Sequence, residues 1–258
     1  MTIDTAPKVV ALYRYPVKGL SAQPLEQVTL TAGETIAFDR AWAIENGPGR
    51  FDPAAPKHLP KVAFVMLMRD ERLAALEAEF DEASSTLTIK RDGRQVARGN
   101  LGTRLGCQMI EQFMAAYMKG SLRGPPKIVS APGHSFSDVA AKCLHIVNMA
   151  SVLELERVAG RTIDPLRFRP NVIIEGVPPW AEFDWIGKPL RCGDVILDVF
   201  DRTHRCAATD VAPGTGQRDM ALPAILERTW KHGDFGVYAK VASGGNMAVG
   251  DELTPPPA

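Results

Sequence analysis

From Val9 to Gly47 the chain cannot run far in any one conformation. The apolar runs VVALYRYPVKGL and PLEQVTLTAGETIAFDRAWAIENG are rich in Val, Ile, Thr and Tyr and are broken by Gly or Pro, at the spacing of roughly 8 to 12 residues that short strands and their turns produce. The same texture returns in NVIIEG, GDVILDVFD, FGVYAKVAS and GDELT. Strand and helix signals do not alternate regularly, which argues against a doubly wound sheet. The fold class expected is therefore mainly β (α+β), as two β-barrel-like units with a few peripheral helices.

Three segments read as helices. ERLAALEAEFDEA sets Leu73, Leu76 and Phe80 at helical spacing, and CQMIEQFMAAYMKG does the same with Ile110, Phe113 and Tyr117. NMASVLELERVAG offers Asn148 or Ser151 as its N-cap and Gly160 as its stop. Asp92-Gly93, set between alternating residues in STLTIKRDGRQVARGNL, predicts a hairpin. RFDPAAPKHLPK carries three prolines and reads as loop, while SLRGPPKIVSAPGHSFSD reads as a connection or an active-site loop.

Composition narrows the function. A chain of 258 residues with 45% hydrophobic content can bury a core without staples. Lys plus Arg balances Asp plus Glu at 30 each, so neither nucleic acid nor an anionic membrane is drawn in by net charge. Any anion site has to be built locally. The N-terminus lacks a signal-peptide layout and no stretch reaches the roughly 20 apolar residues of a spanning helix, so the expected location is cytoplasmic. Cys107, Cys143, Cys192 and Cys206 are dispersed and read as separate thiols of a reducing compartment. No G-x-G-x-x-G opens a helix, no phosphate-cradling G-x-x-x-x-G-K is present, and no Ser sits in a G-x-S-x-G elbow.

The most informative segment is DRTHRCAATDVAPGTG. Cys206 follows a strand, comes directly after His204 and Arg205, and opens into a Pro-Gly-Thr-Gly turn. Neighbouring positive charge favours the thiolate, the form that binds soft metals or attacks as a nucleophile; the competing reading is an inert small hydrophobe. In RFRPNVIIEG, Arg167, Arg169 and Asn171 precede an apolar strand. Close guanidinium groups repel unless an anion lies between them, and their forks suit phosphate; otherwise the segment is a solvated loop. Lys18 in YPVKGL and Arg40 in FDRAW are weaker signals, each open to a structural reading. His134, Ser137 and Asp138 in APGHSFSD either meet a ligand or form a turn, and His134, Phe136, Trp180 and Trp185 either wall a pocket or pack a core.

Taken in order, YPVKGL, FDRAW, RFRPNVIIEGVPPWAEFDWIG, THRCAATDVAPGTG and FGVYAKVASGGNMAVGDEL resemble the MOSC proteins that carry an N-terminal β-barrel domain, from about Val9 to Leu253. The resemblance implies a MOSC N-terminal β-barrel domain over 1–103 and a MOSC domain over 104–258. It further implies molybdenum cofactor (Mo-molybdopterin), with Cys206 as the metal ligand and catalytic residue. Arg169 and Asn171 would contact the pterin, Lys18 and Arg40 would reach the phosphate region, and His204 and Arg205 would flank the metal ligand.

Relatives in this family suggest an oxidoreductase that reduces N-hydroxylated compounds, a small-molecule substrate, and an external electron donor such as a flavoprotein, ferredoxin or cytochrome. One departure is Gly19, where the family often has Ser after the lysine. The alternative implied by the same family is a carrier of cofactor or persulfide sulfur that turns over no substrate. A third reading is a binding module for another small anion, with Cys206 unreactive.

Overall fold

A computed structural model describes residues 6–47 and 49–257. Its centre is a seven-stranded sheet whose spatial order runs Pro189–Cys192, Val195–His204, Asp234–Ser243, Leu144–Asn148, Val172–Glu175, Lys8–Arg14, Gln23–Leu25. The strand nearest the N-terminus thus pairs antiparallel with a strand some 160 residues later, Leu12 opposite Val172. Three smaller sheets surround this one: Gln27–Leu30 with Gly245–Ala248, Ala43–Asn46 with Pro126–Val129, and the meander Glu77–Asp81, Thr86–Arg91, Arg94–Asn100.

The molecule is mainly β, as expected, but the two barrel-like units are corrected: among the described residues no sheet closes on itself. The edge strands Pro189–Cys192 and Gln23–Leu25 do not pair with each other. A physical reason lies in the one parallel pair, Leu144–Asn148 with Val172–Glu175. A parallel pair needs a crossover, and a helix placed in it covers a sheet face. Here the crossover holds the helix Met149–Ala159. Val152 and Leu155 of that helix pack with Val147, while Leu12, Leu144, Ile146, Val172, Leu197 and Val237 share a core with Val28, Leu30 and Met247 of the small sheet Gln27–Leu30 with Gly245–Ala248.

Local chemistry accounts for the helices. In Arg104–Tyr117, Thr103 caps the N-terminus by accepting the Gly106 N–H at 3.1 Å, and Ile110 and Met114 face inward. A Cβ at Gly106 would stand 2.1 Å from the Asn100 carbonyl oxygen, and one at Gly99 the same distance from the Gly106 oxygen. Only a glycine pair lets this helix press onto the meander. Asn148 caps Met149–Ala159, and Gly160 ends it in the left-handed conformation at φ 67°. The expected hairpin is present, with Asp92 and Gly93 both at positive φ.

Two helix readings need revision. ERLAALEAEFDEA is a 3-10 turn, Glu71–Ala75, followed by the strand Glu77–Asp81. Its segment EAEFD alternates charged and apolar residues, and Ala78 and Phe80 point inward opposite Ile89 and Leu87. That period of two prevails over the helical spacing of Leu73, Leu76 and Phe80 because the neighbouring hairpin offers it a ladder. A helix not anticipated, Leu222–Trp230, buries Leu222 and Leu226 one turn apart. No helix among the described residues is long and apolar enough to cross a membrane.

Candidate functional site

Seven chain segments converge on one cavity of about 330 Å³. Its lining includes Lys18, Arg40, Arg169, Asn171, His204, Arg205 and Cys206, the seven residues that the resemblance assigned to the cofactor, together with Asp138, Cys143, His145 and Tyr238.

Cys206 stands where the ten-residue strand Val195–His204 ends and a 3-10 turn, Ala207–Asp210, begins. It is half-buried. Its carbonyl accepts both the backbone N–H and the hydroxyl of Thr209, each at 3.0 Å, so the turn that presents the thiol is closed locally. Two arginines tie this turn to the rest of the protein. Arg167 donates to the Thr209 carbonyl at 3.3 Å and grips both oxygens of Asp219 at 2.7 and 2.9 Å. Arg218 donates to the carbonyls of Ala207 and Met68, each at 2.7 Å, which anchors the segment to the N-terminal part of the chain. Of the two cysteines in the cavity, Cys143 has its thiol pushed up to about 12 by burial, so it stays protonated at neutral pH.

The cations gather around this thiol. Arg40 sits at φ 52° and Arg169 at φ 54°, left-handed conformations that non-glycine residues seldom adopt and that cost of order 1–3 kcal/mol each. Both guanidinium groups lie over the ring of Tyr15, at 4.5 and 4.1 Å from its centroid. Arg40 pairs with buried Asp39, which in turn accepts the Tyr15 N–H at 2.8 Å. Among the described residues Arg169 has no carboxylate partner and donates only to the Leu20 carbonyl, at 2.8 Å; burial takes its guanidinium down to about 10, with Arg40 adding to the effect and Tyr15 opposing it.

Arg205 reaches the Phe168 carbonyl at 2.8 Å and leaves its Nε buried without a partner; burial lowers its affinity for the proton too. Lys18 donates to the Phe136 carbonyl at 2.8 Å and pairs with Asp138, while burial pulls the ammonium below its usual value. Burial raises the Asp138 carboxyl but Lys18 prevails and brings it to about 2.

The four inner cations, Lys18, Arg40, Arg169 and Arg205, share the lining with Lys61 and Arg202, against the carboxylates Asp138 and Asp201 and, paired to Arg40, Asp39, in a chain whose overall charge is zero. A surplus of buried positive charge is costly unless an anion joins it. A neutral chain would have to build any anion site locally, and this cavity has the charge to hold a dianion.

Asn171 and His204 stand differently from the rest. Asn171 is 1% exposed, and its amide is spent on the protein: Oδ1 accepts from the His145 N–H at 3.1 Å and from Arg40 at 3.4 Å, and Nδ2 donates to the Tyr13 carbonyl at 3.1 Å. It clamps three strands of the main sheet and steadies Arg40. The His204 ring is at the rim, largely exposed, hydrogen-bonded to Asp234 at 3.1 Å. Gly19 has φ 88°, and a Cβ there would approach the Val65 carbonyl oxygen to 3.1 Å, so this backbone selects glycine.

The aromatic wall is corrected. Phe136 packs against Phe51 and Phe64 with His134 beside it, Trp185 lies in the main core, and Trp180 packs on Trp230 and Phe235; none lines this cavity. Sequence reasoning missed His145 and Tyr238. Both sit in strands that read as apolar runs, where a single His or Tyr resembles ordinary core.

With this geometry in view, the likeness to other proteins is informative. Residues 6–121 match the MOSC N-terminal beta barrel domain, and residues 132–254 match the MOSC domain. Mitochondrial amidoxime-reducing component 1 of Homo sapiens is 22% identical, aligned over 95% of this chain and 82% of its own length. Molybdenum cofactor sulfurase of Caenorhabditis elegans is 24% identical over 93% of this chain, which spans only 34% of that longer protein. Among solved structures, the YUAD protein from Bacillus subtilis aligns over 96% of this chain and 94% of its own at 10% identity and a TM-score of 0.44. The two matched domains, in the order that the five sequence motifs implied, identify the chain as a member of the MOSC family.

Proposed function

We propose that this chain holds molybdenum cofactor in the cavity around Cys206 and reduces N-hydroxylated compounds with electrons from a separate redox partner. The observation that carries the reading is the meeting of one half-buried thiol with four cations, of which Arg169 lacks a carboxylate and Arg205 keeps a buried N–H without an acceptor. These residues fit the group. A pterin dithiolene phosphate is a soft-ligated metal joined to a localised dianion, and it asks the protein for a thiolate at one end and cations at the other. The family match and the amidoxime-reducing relatives point the same way.

In this reading Cys206 is the protein ligand, while Lys18, Arg40, Arg169 and Arg205 hold the phosphate and pterin. Bound there, the cofactor supplies two-electron oxygen-atom chemistry. The chain supplies position. The Thr209 bonds and the Arg167 and Arg218 ties fix the Cys206 turn, and Asn171 and Asp39 fix Arg40 so that its guanidinium is already aimed before a ligand arrives. The overall conversion of an N–OH group to N–H consumes two electrons and two protons and releases water. The electrons come from a flavoprotein, ferredoxin or cytochrome.

Elemental analysis of the protein from a host that makes the cofactor tests the assignment. The wild type should carry near-stoichiometric molybdenum and Cys206→Ser should lose it, since a hydroxyl is a poor soft-metal ligand; metal and full turnover retained in that variant would remove Cys206 from the role. Arg169→Ala should cut cofactor retention by roughly ten- to a hundredfold, the equivalent of the 1.5 to 3 kcal/mol of a charge-assisted bond. Wild-type cofactor content in Arg169→Ala would leave this side chain with a purely structural job. The sulfurase relatives favour a second reading, a carrier of cofactor or persulfide. A carrier releases its load to an acceptor protein and shows no turnover of amidoximes.

A further inference from the structure

His145 is 4% exposed and lines the same cavity. Its two ring nitrogens face two carbonyl oxygens: Nδ1 lies 3.4 Å from that of Arg169, and Nε2 lies 3.4 Å from that of Phe235. The space is made for it. Gly236 has φ 75°, and a Cβ there would lie 2.6 Å from His145 Nε2. A neutral imidazole carries one N–H, so it satisfies one carbonyl and turns a lone pair toward the other. The imidazolium would satisfy both.

What opposes protonation is the surroundings. Arg40 faces the ring from the loop before Ala43–Asn46, Arg169 from the turn before Val172–Glu175, and Arg205 from the end of Val195–His204; Tyr238 on Asp234–Ser243 lies 5.6 Å away, and Cys143 precedes its own strand. Asp39 is committed to Arg40, and Asp138 to Lys18. Burial first, then Arg205 and Arg40, hold the ring well below its ordinary value, against the pull of the two carbonyls.

We infer that His145 is the proton-linked positioning residue of this anion site: it is neutral in the free protein and takes up a proton when a dianion settles among the cations. The anion cancels the repulsion, both ring N–H groups then bind carbonyls, and the left-handed turn at Arg169 is pinned with its guanidinium toward the ligand. Loading the site and protonating His145 become one linked equilibrium, so each strengthens the other. The inference rests on the cavity being an anion site, as proposed above.

Sulfate is the probe, because it is a dianion that does not itself titrate near neutrality. Binding to the cofactor-free full chain is measured by calorimetry in buffers of different ionisation heat, with the imidazole signals followed by NMR. The wild type should bind sulfate about tenfold more tightly at about pH 5.5 than at about pH 7.5, because the bound anion keeps most of the His145 rings protonated at the lower pH and few at the higher. Binding should draw a proton from the buffer, and saturating sulfate should move the His145 titration upward. In His145→Gln the pH dependence and the proton uptake should disappear while sulfate still binds. If that variant fails to fold, the NMR titration of the wild type decides alone.

Sulfate bound without proton uptake, or a His145 signal that sulfate leaves unmoved, overturns the inference and leaves the anion-site reading intact. Failure to bind sulfate at any pH overturns both.

Discussion

Replacing Asp219, which does not line the cavity, with Ala should lower stability by about 2–3 kcal/mol and loosen Cys206. Arg167 is 5% exposed, and Asp219 receives its Nη2 at 2.7 and 2.9 Å. Without the carboxylate, a buried guanidinium already short of a partner at Nε is left uncompensated. Breaking a fully buried pair from one side costs roughly 3–5 kcal/mol. Here the Asp219 side chain is 25% exposed and shared with surface Arg161, so solvent softens the loss and the lower figure applies. For a chain of this size that amounts to a fall of about 4–12 °C in melting temperature.

Thermal unfolding followed by circular dichroism measures the fall, and the rate of Cys206 alkylation reads the turn, because Arg167 also holds the Thr209 carbonyl. The double variant Arg167→Met with Asp219→Leu should be more stable than Asp219→Leu alone, since it removes the orphaned charge. An Asp219→Ala protein that melts within about 1 °C of wild type, or a double variant whose losses simply add, would refute this account of the turn.

Two further outcomes are expected. Gly236→Ala should lose about 3 kcal/mol or more, because the new Cβ would lie 2.5 Å from the Ile146 carbonyl oxygen and 2.6 Å from His145 at a φ of 75°; urea titration measures it, and a wild-type midpoint would contradict the packing around His145. Stability should also decline as pH falls below about 6.5, by up to about 1.4 kcal/mol per pH unit, because the unfolded chain protonates His145 before the folded one does. This limb should flatten in His145→Gln, and it lies well above the region near pH 3.8 and below where Asp138, held down by Lys18, gives up its share. Denaturation curves taken between pH 5 and 8 that superimpose for the two proteins would show that the buried ring is not titrating differently on folding.

Much of the fold could be read from local chemistry. The hairpin at Asp92-Gly93 and the cap and stop of Met149–Ala159 are set by residues within one turn of where they act. What could not be read depends on distant partners. EAEFD becomes a strand because Thr86–Arg91 is there to pair with it, and Lys8–Arg14 leaves the N-terminal half to join Val172–Glu175, so neither the meander nor the open sheet is written in any single window. His145 was hidden for a related reason. Its run CLHIVN reads as buried strand, and only the approach of Arg169 from a turn and of Phe235 from another strand makes it a polar centre.

The pair Arg167 and Arg169 shows how far residue type alone can reach. Two residues apart in an extended segment, they would point to the same face, and both would be read as gripping one anion. Instead Pro165–Phe168 is a 3-10 turn and Arg169 leaves it in the left-handed conformation. Arg167 is thereby turned toward Asp219 and the Thr209 carbonyl, behind the Cys206 turn, and Arg169 is turned over Tyr15 into the cavity. The first arginine has a carboxylate and the second has none. One strained residue thus divides two chemically identical side chains between holding the Cys206 turn in place and standing in the cavity, and that division is what the proposed anion site draws on.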